Sequence, residues 1–236
     1  MVRDGDDNVE LKYSLRSVAL FAPKFDKIWI IGYKPDWVTN VEFIPTVQFQ
    51  AKKYTATNNN LRVACESVYI SNDFVLMNDD FILTRPISSW EDSLNFIRNK
   101  LKDQIKIYHS SCETDYTQAF DYNLPMIQEI SGNPDPDDYE LHIPIIINKN
   151  KFLDVFNDKR VIKHMKEHKI TLKRSLYGNV NHKFTRITPD VKIRGGDPET
   201  IDSEWVSVLD NFIGKSHPRF TAYLDRLFSN KCRYEV

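Results

Sequence analysis

The stretch from Ser71 to Leu83 restricts this chain more than any other. Phe74-Val75-Leu76-Met77 is an unbroken apolar run, the pattern of a strand covered on both faces. It ends in Asn78, Asp79 and Asp80, and a second apolar run, Phe81-Ile82-Leu83, follows at once. Two neighbouring acids between buried runs are costly unless something pairs with them. In an open α/β sheet the carboxyl end of a strand is also where ligands bind. A hard divalent cation shared with a substrate's phosphates would meet that cost. A solvated turn with a helix-capping role is the other reading of the same residues, and both stay open at this point.

The flanking pattern alternates. Leu11, Leu15, Val18 and Ala22 form one helical face ending before Pro23, and Asp7 to Glu10 spell a capping box. Strands are expected over 27–32 and 41–44, with a loop from 45 to 57. Asn58, Asn59 and Asn60 offer N-caps to a helix carrying Leu61, Ala64, Cys65 and Val68. Trp90, Leu94, Ile97, Leu101 and Ile105 predict one long amphipathic helix from Ser88 onward. After the loop 131–138, residues 139–148 read as a strand with Pro144 at an edge or bulge. Short helices are expected over 152–156 and 161–168, and a terminal one over 218–228. Helix and strand alternating in this way predict an α/β fold with a doubly wound, mostly parallel sheet.

With 236 residues the chain is expected to form a single domain, residues 1–130 making one half and 131–236 the other. Three widely spaced cysteines, no signal-like start and no apolar run of membrane length lead to the expectation of a cytoplasmic protein without a membrane span. A net charge of −1 hides an asymmetry: residues 159–194 carry eleven Lys or Arg against Glu167 and Asp190. Such a stretch reads either as a footprint for a polyanion or, more commonly, as a solvated helix face.

Two blocks carry a resemblance. Asp7-Asn8-Val9-Glu10-Leu11-Lys12-Tyr13-Ser14-Leu15-Arg16-Ser17, followed by the strand at Ile28–Ile31, resembles the opening block of Stealth-type sugar-phosphate transferases and of related phage and bacterial glycosyltransferases of the GT-A fold. Asn60-Leu61-Arg62, Ala64-Cys65 and then Asp73-Phe74 through Met77-Asn78-Asp79-Asp80-Phe81 are similar to the same family's second block, and Arg174 to Asn179 adds a weaker match. The likeness covers about the first 85 residues well. Where the family has a full strand ahead of the first block, only Met1 and Val2 precede Arg3, and Val9 stands where an acid is common. The C-terminal Stealth blocks are not matched, so the glycosyltransferase branch is the expected one.

The resemblance implies a GT-A-like sheet flanked by helices with a C-terminal helical extension, residues 1–130 holding a nucleotide sugar and metal and residues 131–236 facing the acceptor. It implies a UDP- or GDP-sugar donor, Mn²⁺ or Mg²⁺, and a glycan acceptor or a hydroxymethylated base in DNA. Asp79, Asp80 and His142 are the expected metal ligands, with Asp80 and His142 catalytic. Arg3, Asp7, Asn8, Arg16, Asn60, Arg62, Asn78, Arg174, Lys215 and Ser216 are the expected donor-binding set. Each has a plainer reading: Asp7 and Asn8 as helix caps, Arg16 and Arg62 as ion-pair partners, His142 as an ordinary edge histidine. Transfer of a sugar 1-phosphate and a non-enzymatic binding module are the alternatives to sugar transfer.

Overall fold

The computed structural model describes all residues except 6, 48–52, 112–113, 209–212 and 214–216. It opens with helix α1 (Val9–Phe21), whose predicted face Leu11, Leu15 and Val18 is buried, and Pro23 follows its end. Strands β1 (Trp29–Gly32) and β2 (Glu42–Pro45) pair in parallel. Helix α2 (Lys53–Glu66) leads to β3 (Asp73–Leu76), the turn carrying Asp79 and Asp80, and β4 (Phe81–Leu83).

Helix α3 (Trp90–Leu94), strand β5 (Phe96–Ile97) and helix α4 (Leu101–His109) come next. Helix α5 (Asp115–Ser131) ends on Gly132, whose φ of 66° suits a residue without a Cβ. Strand β6 (Ile145–Asn148), helices α6 (Lys149–Phe156), α7 (Lys159–Glu167) and α8 (Lys173–Asn181), and strands β7 (Arg186–Ile187) and β8 (Trp205–Ser207) lead to the terminal helix α9 (Pro218–Leu227).

The architecture is mixed α/β. Among the described residues the strand pairs divide evenly: β1 with β2 and β5 with β7 are parallel, β3 with β6 and β4 with β8 antiparallel. The expectation of a mostly parallel sheet therefore does not hold for these residues, because β6 and β8 return along β3 and β4 in the opposite direction. Among the described residues the buried side chains fall into five clusters, two of which position the acid turn. One joins Leu61, Phe120, Ile127, Phe152 and Tyr177 around β3 and β6. The other joins Tyr13, Ile82, Val206, Phe220 and Leu224, so that the expected terminal helix packs under α1.

Four local expectations are corrected. The long helix over 88–105 is broken at Asn95: β5 pairs with β7, and the Arg98 N–H and Asn99 carbonyl are engaged by the Asp138 backbone. Tertiary pairing overrides an apolar period that both pieces preserve. Helix α2 begins at Lys53, which puts Asn58, Asn59 and Asn60 inside it, not at its cap. Helix α1 begins at Val9 with Asn8 at its N-cap in a left-handed conformation (φ 47°) and no side-chain cap, so the Asp7–Glu10 capping box does not form.

Finally, residues 139–143 are not strand. Side chains satisfy their backbone instead: Tyr139 N–H donates to Ser175 Oγ, His142 N–H to Asp190, and the Leu141 and Ile143 carbonyls accept from Arg174. No helix among the described residues is long and apolar enough to cross a membrane.

Candidate active site

Both acids of the β3–β4 turn are half-buried, as the sequence pattern requires, yet their surroundings differ. Asp79 accepts a 3.4 Å hydrogen bond from the Arg3 backbone N–H. Burial, reinforced by the charge of Asp80, pushes its carboxyl up to about 6. Asp80 has a cation beside it. Its Oδ2 lies 2.8 Å from Lys192 Nζ and accepts a 2.5 Å hydrogen bond from the Ser207 hydroxyl. The desolvation cost of two adjoining acids is thus met in part by a lysine of the chain itself.

His142 sits on the irregular 139–143 segment. Its Nδ1 lies 2.9 and 2.8 Å from the two carboxylate oxygens of Asp190. The same carboxylate accepts the His142 backbone N–H at 3.0 Å, so ring and backbone are both fixed. With Nδ1–H donated to Asp190, Nε2 is left as the proton acceptor. Burial raises the Asp190 carboxyl, but the hydrogen bonds from His142 and the charge of Arg98 outweigh it and hold Asp190 at about 2. Arg98 lies between two acids, 3.2 Å from Asp190 and 3.3 Å from the fully buried Asp138. Burial pushes the Asp138 carboxyl up to about 6 despite that partner.

Arg174 joins the two sides. It opens α8, where the Glu140 carboxylate accepts the N–H groups of Arg174 and Ser175, each at 3.0 Å, at the positive end of the helix. Its Nη1 donates to the carbonyls of Leu141, at 2.8 Å, and Ile143, the two neighbours of His142. Its guanidinium carbon stands 5.2 Å from the ring of Phe81, the residue after Asp80. Arg174 is only 6% exposed, and its Nη2 is buried with no hydrogen-bond partner. Burial lowers its affinity for its proton, and the charges of Asp80 and Asp190 both act on it. The close seat of α8 depends on Gly178: a Cβ there would fall 2.6 Å from the Tyr139 ring.

Asn78 and Asp79 line a cavity of about 590 Å³, and a separate cleft of about 960 Å³ is lined by Arg3, Tyr54, Asn58, Arg62, Lys166 and His168 among others. Arg3 connects the two, since its backbone binds Asp79. Tyr54 stacks on Tyr116 and His168 on Tyr122, and Asn58 Oδ1 is buried without a hydrogen-bond partner.

Of the expected residues, Arg3 meets Asp79, and Arg174 stands over Phe81, next to Asp80, while holding the carbonyls that flank His142. Asn78 adjoins Asp79, and Arg62 lines the cleft while pairing with Glu66 at 2.7 Å. Asn8 donates to the Arg3 carbonyl at 3.0 Å and so shapes the turn beside Asp79, whereas Asp7 is exposed. Arg16 is buried and bound through two nitrogens to Glu235 at 2.6 and 2.7 Å; it staples the chain's end and is not turned to the site. Asn60 is fully buried and joins Thr46 to the Ile31 carbonyl, which leaves no role in donor binding. Lys215 and Ser216 lie outside the described residues.

Sequence reasoning missed Asp190, Lys192, Arg98 and Asp138. The signal for the first two was Asp-Val-Lys after Pro189, an acid and a base two residues apart, hidden in the basic stretch. That stretch turns Arg174 and Lys192 inward and pairs Arg160 with Asp158 and Glu129, Lys163 with Glu167 and Lys169 with Asp115.

Asp79 and Asp80 offer the carboxylate oxygen that Mg²⁺ or Mn²⁺ prefers, but Asp80 is taken up by Lys192. His142 does not complete a shell: among the described residues no three of His, Cys, Asp and Glu are grouped to hold a metal. Compared with protein-family models the chain matches none, and no curated protein matches it.

Proposed function

We propose that this chain is a transferase that uses a nucleotide-diphosphate sugar and moves the sugar 1-phosphate onto a hydroxyl acceptor. One observation carries the reading: Arg174, a buried guanidinium with an unpartnered nitrogen, holds the carbonyls on either side of His142, itself oriented by Asp190, and stands over Phe81, the residue after Asp80. Attack at the anomeric carbon develops positive charge on the sugar. Attack at phosphorus spreads negative charge over the phosphoryl oxygens, which buried cations stabilise. The unpartnered guanidinium nitrogen of Arg174 and the ammonium of Lys192 favour the second.

In this mechanism His142 Nε2 takes the acceptor hydroxyl's proton while Asp190 stabilises the imidazolium that forms. The acceptor oxygen bonds to the sugar-bearing phosphorus, the bond from that phosphorus to the bridging oxygen breaks, and a nucleoside monophosphate leaves. Arg174 Nη2 donates to the phosphoryl oxygens, a planar donor matched to phosphate. The stacked Tyr54 and His168, with Asn58, receive the nucleoside in the cleft beside Arg3. A divalent cation at Asp79, beside Asp80, would supply charge neutralisation of the diphosphate. A GT-A-like arrangement is part of the same proposal, supported by the parallel β1–β2 pair and by an acid pair at the end of β3.

Transfer of the sugar alone is the second reading, favoured by the acid pair itself, since carboxylates stabilise an electron-poor anomeric centre. Incubation with UDP- and GDP-sugars, Mn²⁺ and hydroxyl acceptors separates the two. Nucleoside monophosphate and a phosphodiester signal in ³¹P NMR are expected; nucleoside diphosphate with no phosphodiester product would establish sugar transfer. Release of neither nucleotide across the donor series would leave the binding-module alternative.

A further inference from the structure

The cavity of about 590 Å³ beside Asp79 lies between β1 and β3, and residues of both strands line it. Among the described residues β1 pairs with β2, β3 pairs with β6, and β1 and β3 do not pair with each other. The first residues of the chain enter this gap at one end. Val2 is bridged in parallel to Gly32: its N–H donates to the Ile31 carbonyl at 3.0 Å, and its carbonyl accepts the Tyr33 N–H at 3.1 Å. On the other side the Met1 ammonium donates to the Met77 carbonyl at 2.6 Å, and the Arg3 N–H reaches Asp79 two residues further along. Met1 and Val2 therefore run parallel to both strands, as one end of a strand between them.

Backbone groups of alternate residues in a strand point to opposite sides. Ile31 and Met77 face the gap, so Trp29 and Val75, two residues earlier in each strand, face it too, and neither has a strand beside it there among the described residues. Backbone donors and acceptors taken out of water are nearly always paired. The faces of the gap are apolar, with Leu11, Leu15 and Val18 of α1 on one side and Ala64 and Ile70 near the end of α2 on the other. Such walls suit a strand covered on both faces. Burial lowers the affinity of the Met1 ammonium for its proton, while the charges of Asp79 and Asp80 act in the opposite sense. A peptide N–H in its place would keep the bond to Met77 without a charge to desolvate.

We infer that this gap receives one further β-strand, parallel to β1 and β3 and formed by residues of the polypeptide immediately ahead of Met1. Val2 opposite Gly32 sets the register, so the residue before Met1 lies opposite Ile30 and the one before that opposite Trp29. Carbonyls of these two residues accept the Ile31 and Met77 N–H groups, and two more residues reach Trp29 and Val75. The strand is apolar, since both faces that cover it are. It joins the β1–β2 and β3–β6 pairs into one sheet, and it delivers Arg3 to Asp79 from a paired strand and not from a free end. The inference goes beyond the reaction proposed above and does not depend on it.

Residue-resolved amide hydrogen exchange on the whole protein tests this with two added leaders of equal length ahead of Met1, one of four valine, isoleucine and threonine residues and one of glycine and serine. The β-branched leader is expected to slow exchange at Ile31, Met77, Trp29 and Val75 at least about tenfold relative to the glycine–serine leader, and to raise Tm by about 5 °C or more. Ile30 and Leu76, which face β2 and β6, should change least. Equal exchange at the four gap-facing amides in the two proteins overturns the inference. N-terminal sequencing of the protein isolated from its native cells decides the source of the strand and needs no variant, so it holds even if the β-branched leader causes aggregation. A start at least four residues ahead of Met1, apolar in those places, is expected. A start at Met1, or charged residues in those four places, overturns the inference and leaves the gap to a strand from another chain.

Discussion

Arg16 and Arg174 are both almost fully buried, at 7% and 6% exposure, and their surroundings are opposite. Arg16 gives two nitrogens to the Glu235 carboxylate and a third to the Phe228 carbonyl. The hydrogen bonds to Glu235 raise its affinity for its proton above the ordinary arginine value. Arg174 gives one nitrogen to two carbonyls, faces an aromatic ring and leaves Nη2 without a partner, and burial moves its proton affinity the other way. A buried arginine that spends its fork on a carboxylate is a staple. One held by neutral acceptors keeps its positive charge for an incoming anion. Burial and charge alone do not separate the two; the partner does.

Substitution should split the pair cleanly. Arg174→Lys retains charge but loses the planar donor, and turnover is expected to fall about 100- to 1000-fold with an unchanged circular dichroism spectrum. Full activity in that variant would remove Arg174 from the chemistry. On the same side of the comparison, His142→Gln should lower kcat about 100- to 10,000-fold, since a positioned general base is lost. A raised KM with normal kcat would make the histidine a binding group instead.

Arg16→Met should do the reverse. Leaving Glu235 buried without its partner is expected to cost about 3–5 kcal/mol of stability, measured by urea unfolding, while kcat of the folded fraction is unchanged. An activity loss that survives correction for folding would place Arg16 back among the functional residues.

The smallest expected effect concerns the acids that share Arg98. The Asp138 carboxyl is at about 6 when folded against an ordinary 3.8, so the folded state holds its proton more tightly. Its contribution to stability is full below about 4 and is lost as pH rises through 6. Asp190, held at about 2, contributes fully above about 4 and loses that contribution as pH falls toward 2. Unfolding curves between pH 4 and 7 should show a decline, shared with Asp79, that Asp138→Asn makes shallower and Asp190→Asn does not.

What the sequence disclosed follows from the range over which each feature acts. Helix α1, strands β1 to β3 and the terminal helix are written in local apolar periods and stops such as Pro23, and they form where expected. The acid turn was legible because two charges between apolar runs break a local rule. The 88–105 segment misled because a helical period is preserved across a break whose cause, pairing with Arg186 and Ile187, lies some ninety residues away. For the same reason His142 could be singled out but its partner Asp190 could not: they are 48 residues apart and meet only through the folded 139–143 segment. Lys192, 112 residues from Asp80, was concealed among basic residues that read as a solvated face.

Gly178 carries no chemistry, yet the spacing of the whole centre leans on it. A methyl group at that position would have to gain roughly one ångström from the Tyr139 ring to reach ordinary contact. Either the ring yields or α8 backs away, taking with it the residue that spans the acid pair and the histidine. In a saturation screen that scores product, this glycine should therefore tolerate as little change as the reacting groups themselves, and a conservative-looking alanine there should be mistaken for a lesion in catalysis.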